Sequence, residues 1–349
     1  MICFYPGPSQ LSPGVDRWMN EAVTSGILTR NHRSQPFMDL YQDTKIVIRE
    51  KLKVPDNYEV VFTSSATECW EIISQSFARV SHYHFYCGAF GEKWYDYALQ
   101  LNPEHYAQPF GAGQLIKPRQ FSEEPCVLCL THCETCNGTL SPISEDWGKL
   151  NPEAIIAVDA TSSLGGVDEN ISHADIWFAS VQKCFGLPSG LSVMLVSQKA
   201  QKHVFRYNDR GHYNSLVRVL DNARKNQTSY TPNILGIFLL NRVLQSRPPI
   251  PEIDQPLKSR MAELEHLINE ADGLDFLIEN KEVRSPTVAT IKSDEVQIEK
   301  IKAKALDNGF ILGNGYGKHK YDTFRIANFP AITQDQWNAL LNFLRNITD

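Results

Sequence analysis

The chain has 349 residues, 42% hydrophobic and 21% charged, with a net charge of −6. That composition is of an ordinary globular protein, large enough for two domains, and it offers no basic surface for nucleic acid. The longest apolar run, Ile234–Leu240, stops at Asn241 and Arg242, well short of the roughly 18 residues a membrane span needs, and the N-terminus lacks a basic segment followed by an apolar core, so a cytoplasmic location is expected.

In chain order, residues 11–25 read as an opening helix, with Ser12 as its cap, Pro13 in the first turn and Val15, Trp18, Met19 and Ala22 on one apolar face. A polar loop holding His32 and Arg33 follows, then a helix from Phe37 to Leu52. Tyr58–Phe62 is a short strand, Ser64-Ser65-Ala66-Thr67 a tight turn, and Trp70, Ile73, Phe77 and Val80 recur at helical spacing. Strand, small-residue turn and helix together make an anion cradle, because the free N–H groups and the positive helix end face the turn. A plain Ser/Thr helix cap has the same local sequence. An apolar strand ends at Gly88, and Phe90 sits at the junction with the next helix, where an aromatic can stack on a planar ring or simply fill the core.

Pro125–Thr131 is a buried strand running into a polar turn, H-C-E-T-C-N-G-T-L, with Thr135 expected exposed at its tip. Cys126, Cys129, Cys133 and Cys136 have zinc-like spacing. Strand residues three apart point to opposite faces, however, so Cys126 and Cys129 could not share one ion, and small buried thiols are the preferred reading. Strands 152–160 and 174–180 deliver Asp159 and, just beyond, Gln182 and Lys183. An acid and a lysine ending neighbouring buried strands fit a lysine Schiff base to pyridoxal phosphate, with the carboxylate holding the pyridine nitrogen protonated. Strands alternating with helices indicate an α/β fold with a mainly parallel, doubly wound sheet, whose ligands gather at the loops following the strands. Ser65, Phe90, Thr135, Asp159 and Lys183 all occupy such loops.

After the strand Leu191–Ser197, Tyr230-Thr231-Pro232-Asn233 precedes an apolar helix, Ile234–Leu244. The proline-rich stretch Ser246–Pro256 reads as a boundary between a large domain, 15–245, and a smaller α/β domain made of 1–14 plus 246–349. In the latter, Leu257, Met261, Leu264 and Ile268 stripe a helix, and strands are expected at 287–291, 309–312 and 323–327. Thr333 and Gln336 form a capping box before the last helix, with Ile332 stapled to Trp337.

Together these segments resemble the class V, fold type I pyridoxal-phosphate aminotransferases, and within them the phosphoserine aminotransferase group, over nearly the whole chain. V-D-A-T-S-S, whose Asp159 lies 24 positions before Lys183 of Q-K, is similar to that group's cofactor strands, S-S-A-T to its phosphate turn, and C-G-A-F-G to the turn carrying its stacking aromatic. E-T-C-N-G resembles N-E-T-I-x-G, Y-T-P-N resembles N-T-P, F-R-I-A-N-F-P resembles R-A-S-I-Y-N, and H-R-S occurs in both. The resemblance implies that Lys183 forms the internal aldimine and moves the substrate proton, Asp159 pairs with the pyridine nitrogen and Phe90 stacks on the ring. It also implies that Ser65, Ala66, Thr67 and Gln182 hold the phosphate, Thr135 bonds the ring hydroxyl and Arg325 grips the substrate carboxylate. Thr231 would act on the cofactor of a neighbouring subunit in a homodimer with shared sites, and His32 and Arg33 would line the substrate end. Lys318 and His319 stand where the family often has a His and an Arg, so a basic pocket for phosphoserine, with 2-oxoglutarate as acceptor, is the leading expectation. Q-K-C-F-G-L-P-S-G-L is closer to the serine/alanine–glyoxylate branch, which is the alternative. A class V desulfurase would want a cysteine in the loop 315–321, where there is none. An inactive cofactor-binding relative is the remaining reading, against which Asp159, Lys183 and Arg325 argue.

Overall fold

A computed structural model describes residues 1–119 and 122–348. Strand β1 (Ile2–Phe4) lies in the smaller of two main sheets. The larger sheet contains β2 (Glu59–Thr63), β3 (Ser81–Tyr86), β4 (His105–Pro109) and β5 (Cys126–Thr131). Next in sequence, β6 (Cys133–Glu134) and β7 (Thr139–Leu140) pair with each other as a short ribbon, and Thr139 forms an isolated bridge to Arg284. The larger sheet is completed by β8 (Ile155–Asp159), β9 (Ile176–Ser180) and β10 (Ser192–Val196). Its order is β2-β10-β9-β8-β5-β3-β4. All neighbours run parallel except β10, which is antiparallel to both β2 and β9. Every residue of β5, β8, β9 and β10 is buried, as expected of central strands covered on both faces.

Strands β11 (Asp275–Phe276), β12 (Val288–Lys292), β13 (Phe310–Asn314) and β14 (Thr323–Ala327) complete the smaller sheet, in the order β1-β13-β14-β12-β11. Only the β1–β13 pair in it is parallel. The larger sheet and its helices bury one apolar cluster, which reaches from Val15 to Ile250. A second cluster joins Phe4 and residues 261–344 with Cys133 and Cys184. This separation supports the division at 15–245 and 1–14 plus 246–349, which we put forward as a proposal.

Three local expectations need correction. The first helix is Val15–Thr24, not 11–25, and Gly14, at φ 88°, precedes it without a side-chain cap. Ser12 is buried instead, donating to the Phe185 carbonyl at 3.1 Å and accepting from Arg247 at 2.7 Å. The proline-rich stretch is not a loop beyond Pro249, because a helix spans Ile250–Glu270 with Pro256 inside it. Pro251 suits the first turn, whose N–H groups have no intrahelical partner, whereas Pro256 lies beyond it and removes one helix hydrogen bond. Thr135 is only 4% exposed. The polar turn that carries it folds inward because its groups find partners there: Asn137 donates to the Cys87 carbonyl, and the Glu134 carboxylate accepts backbone N–H bonds. The last helix, Gln334–Thr348, has the expected reciprocal bonds between Thr333 and Gln336, and Ile332 and Trp337 are both buried in the second cluster.

Candidate functional site

The C-terminal ends of β5, β8 and β9 converge on a cavity of about 300 Å³, which the N-terminal segment Tyr5–Pro8 and residues of the smaller sheet help to close. Lys183 projects into it from the turn after β9, and burial pushes its amine below the usual lysine range, against the opposing pull of Asp159, Cys133 and Glu134. Its Nζ donates to Thr135 Oγ1 at 2.8 Å and Ser162 Oγ at 3.0 Å, and these two hydroxyls are themselves 2.5 Å apart. Gly7 passes so close that a Cβ there would sit 2.9 Å from Lys183 Cε.

Asp159 ends β8 and is held by both oxygens: Oδ2 accepts from Trp70 Nε1 and Oδ1 from the Thr161 amide, each at 2.9 Å. The remaining lone pairs can still accept a ring N–H. Phe90 lies at the start of helix Ala89–Leu101, its ring centroid 5.1 Å from Lys183 Nζ and stacked on Tyr316 at 5.2 Å. Glu134 pins that helix start, accepting from the Gly91 and Phe90 amides, where a negative charge also meets the positive helix end. Burial nevertheless raises the Glu134 carboxyl above its ordinary range.

The turn after β2 divides its groups between structure and cavity. Ser65 accepts from the Glu68 amide and caps helix Ala66–Ser76; it does not line the cavity, whereas Ala66 and Thr67 do. The Ala66 amide is taken by Ser180 Oγ, leaving Thr67's as the first-turn amide with no partner among the described residues. Gln182 Oε1 and Thr161 Oγ1, both in residues lining the cavity, are buried and also without a partner. The partnerless Thr67 amide and Thr161 hydroxyl can donate to an anion, and Asp159 in an aromatic-lined cavity suits a protonated ring nitrogen. The residues therefore fit pyridoxal phosphate.

Arg325 on β14 is 3% exposed and reaches in from the other sheet. Asn314 O accepts from its Nε at 2.7 Å and Thr135 O from its Nη1 at 2.9 Å, while Nη2 makes no hydrogen bond among the described residues. Lys318 and His319 do not line the cavity; His319 pairs with Asp322 at 3.1 Å. The cavity's further cation is Lys93, whose Nζ donates to Tyr316 Oη at 3.1 Å. His32, Arg33 and Thr231 lie outside the cavity, with His32 Nδ1 3.5 Å from Thr231 Oγ1.

Sequence reasoning missed Tyr5–Pro8, Trp70, Lys93, Ser162, Ser180 and Tyr316. Trp70 carried a signal that read equally well as core, and Ser162 sat in plain view within V-D-A-T-S-S.

Residues 109–319 match the family model described as Aminotransferase class-V. A phosphoserine aminotransferase of Cytophaga hutchinsonii superposes with a TM-score of 0.91 at 32% identity, covering 99% of this chain and 98% of that one. The phosphoserine aminotransferase of Rhodococcus opacus (strain B4) is 28% identical over 96% of this chain and 91% of its own. An alanine–glyoxylate aminotransferase of Nostoc sp. shares the fold at a TM-score of 0.81 and 19% identity, covering 99% and 94% of the two chains. A lysine between two sheet ends, its paired acid and its arginine thus stand in a fold type I framework, and the chain belongs to the class V aminotransferases.

Proposed function

We propose that this aminotransferase uses pyridoxal phosphate to move the amino group of O-phospho-L-serine to 2-oxoglutarate, giving 3-phosphohydroxypyruvate and glutamate. The observation that carries the substrate is likeness along nearly the full chain to proteins named phosphoserine aminotransferase. The cofactor, when bound, supplies an electron-withdrawing ring and the carbon that carries the amino group between donor and acceptor.

The chain's own residues then have distinct tasks. Asp159, fixed by Trp70 and Thr161, accepts the ring N–H. Phe90 supports the ring face, and Thr67, Gln182 and Ser180 surround the phosphate. Thr135 reaches the ring hydroxyl. Lys183, whose amine burial pushes below the usual lysine range, takes the proton from the substrate Cα and returns it on the far side of the exchange. Arg325 grips the α-carboxylate and thereby fixes which Cα bond faces the ring. Thr231, His32 and Arg33 do not line the cavity of their own subunit, and we assign them to the neighbouring site of a homodimer.

Serine or alanine with glyoxylate is the second reading, favoured by the placement of Lys318 and His319 outside the cavity. Single-turnover absorbance of the cofactor-loaded protein with phosphoserine, serine and alanine decides between them. Phosphoserine should consume the loaded form fastest; if serine matches it, the phosphoserine reading is wrong. Absence of a cofactor band that depends on Lys183, tested with Lys183→Ala, would overturn the cofactor assignment.

A further inference from the structure

A second group of chemically capable side chains lies on the edge of the larger sheet, apart from the catalytic cavity. His82 and His84 alternate along β3 and so share one face, and β4 sets His105 directly opposite His82. The three are 0%, 1% and 2% exposed. One ring nitrogen from each lies within 4.8 Å of the other two.

Their hydrogen bonds settle where the lone pairs are. His82 Nε2 faces the Phe77 carbonyl oxygen at 3.0 Å, and since that oxygen can only accept, Nε2 carries the proton and Nδ1 the lone pair. His84 Nε2 and His105 Nδ1 are 2.9 Å apart and share a single proton. His82 Nδ1, His84 Nδ1 and His105 Nε2 are all buried with no hydrogen-bond partner among the described residues. The surroundings are aromatic, with Trp94 and Tyr95 against His84. Protonation does not resolve this arrangement. Burial pushes His82 down to about 3, His105 to about 4 and His84 well below its usual value, and the rings also depress one another. Neutral imidazoles are the form that binds metals.

We propose that His82, His84 and His105 form a three-nitrogen site for a divalent transition-metal ion of the zinc class. Two nitrogens on one tetrahedral zinc are about 3.4 Å apart, given Zn–N bonds of about 2.1 Å. Ring rotation on entry of the ion therefore draws in the nitrogens that lie up to 4.8 Å apart and opens the 2.9 Å His84–His105 pair slightly. The ion takes the place of the proton shared by His84 and His105, and that proton moves to the other ring nitrogen of the histidine that held it, so both imidazoles stay neutral. With the rings sealed from solvent, the role is structural: the ion ties the edge strand β4, paired on one side only, to β3. Strand β3 leads directly into the Gly88–Phe90 turn of the cavity. The ion enters during folding or when the edge strand opens.

The test uses tag-free full-length protein, unfolded in urea and refolded with Co²⁺ or Zn²⁺, beside His105→Phe and His82→Asn. Circular dichroism and cofactor absorbance report whether each variant folds. The wild type should hold one metal per chain by mass spectrometry, show visible Co²⁺ absorption and lose thermal midpoint on chelation. Both variants should lose the metal and the chelator response. The proposal is overturned if the refolded wild type lacks stoichiometric metal and cobalt absorption, or if both variants keep them. Should the variants not fold, the wild-type cobalt spectrum and chelator response decide alone.

Discussion

Replacing Ser162 by alanine should lower the pKa of Lys183 by about one unit in the cofactor-free protein. Ser162 Oγ accepts from the buried Nζ at 3.0 Å, and Thr135 Oγ1 does so at 2.8 Å. A hydrogen bond to a charged group contributes about 1.5–3 kcal/mol, and one pKa unit corresponds to about 1.36 kcal/mol. Loss of the whole bond would thus be worth about one to two units. The lower end applies because Thr135 remains and, freed from its contact with Ser162, can turn fully toward the amine. The sign follows from which form is favoured: an acceptor stabilises the ammonium, so its removal adds to the depression that burial already imposes. The backbone carbonyl of Ser162, which accepts from Thr287 Oγ1 at 2.6 Å, is unaffected by the substitution. The assay is the pH dependence of Lys183 modification by an amine-directed reagent, with Lys183→Arg as background. A midpoint that stays put or rises would refute the reasoning.

Lys183→Met should raise the stability of the cofactor-free protein by about 1–3 kcal/mol at neutral pH. The native pKa of Lys183 is depressed, so the stability its neutral form allows is present above the unfolded value and lost as pH falls through the folded one. The gain should therefore shrink toward alkaline pH in urea melts. Arg325→Lys loses the bonds to Asn314 O and Thr135 O together with the planar fork, and should raise KM for the amino donor about 10- to 100-fold while cofactor affinity holds. Gly88→Ala would bring a Cβ within 2.5 Å of both Cys136 Sγ and Glu134 Cγ; overpacking should cost about 1–3 kcal/mol in urea melts and, by moving Phe90, weaken cofactor binding.

The central strands β5, β8, β9 and β10 were legible because they are buried on both faces, so each appears as an apolar run with polar residues where it emerges, whereas the half-exposed edge strand β4, H-Y-A-Q-P, carries no such signal and was not foreseen. Asp159 and Lys183 were found for the same reason, as the polar residues that follow I-I-A-V and I-W-F-A-S-V. Thr135 was placed at the surface because its neighbours are polar, and local polarity does not reveal that Glu134 and Asn137 spend their bonding capacity on the Phe90 helix start and Cys87. Tyr5–Pro8 carries no periodic signal, and its place beside Lys183 depends on β1 pairing with β13, some 300 positions away in sequence. Ser65 kept both of its readings until the structure directed its hydroxyl to Glu68. Lys318 and His319 were chosen by position in a motif, yet neither lines the cavity, and His319 pairs with Asp322.

The grip on the substrate carboxylate proposed for Arg325 has an electrostatic consequence for Lys183. Among the charges acting on Lys183, Arg325 lowers its pKa, while Asp159 and Glu134 raise it. Arg325 stays in place because two backbone carbonyls fix its guanidinium, so its positive charge is a permanent feature of the empty cavity. A substrate carboxylate docking on it neutralises that charge. The depression of Lys183 is then relieved in part, and the lysine becomes a stronger base at the moment a Cα proton comes within its reach. Removing the charge by substitution should mimic the docking. In cofactor-free Arg325→Met the Lys183 midpoint should move upward, opposite to the shift in Ser162→Ala, although neither substitution touches the amine's covalent structure. A midpoint that stays put in Arg325→Met would mean that Arg325 does not act on the amine, and that the proposed carboxylate clamp and the base are electrostatically independent; a downward shift would reverse the sign of the reasoning.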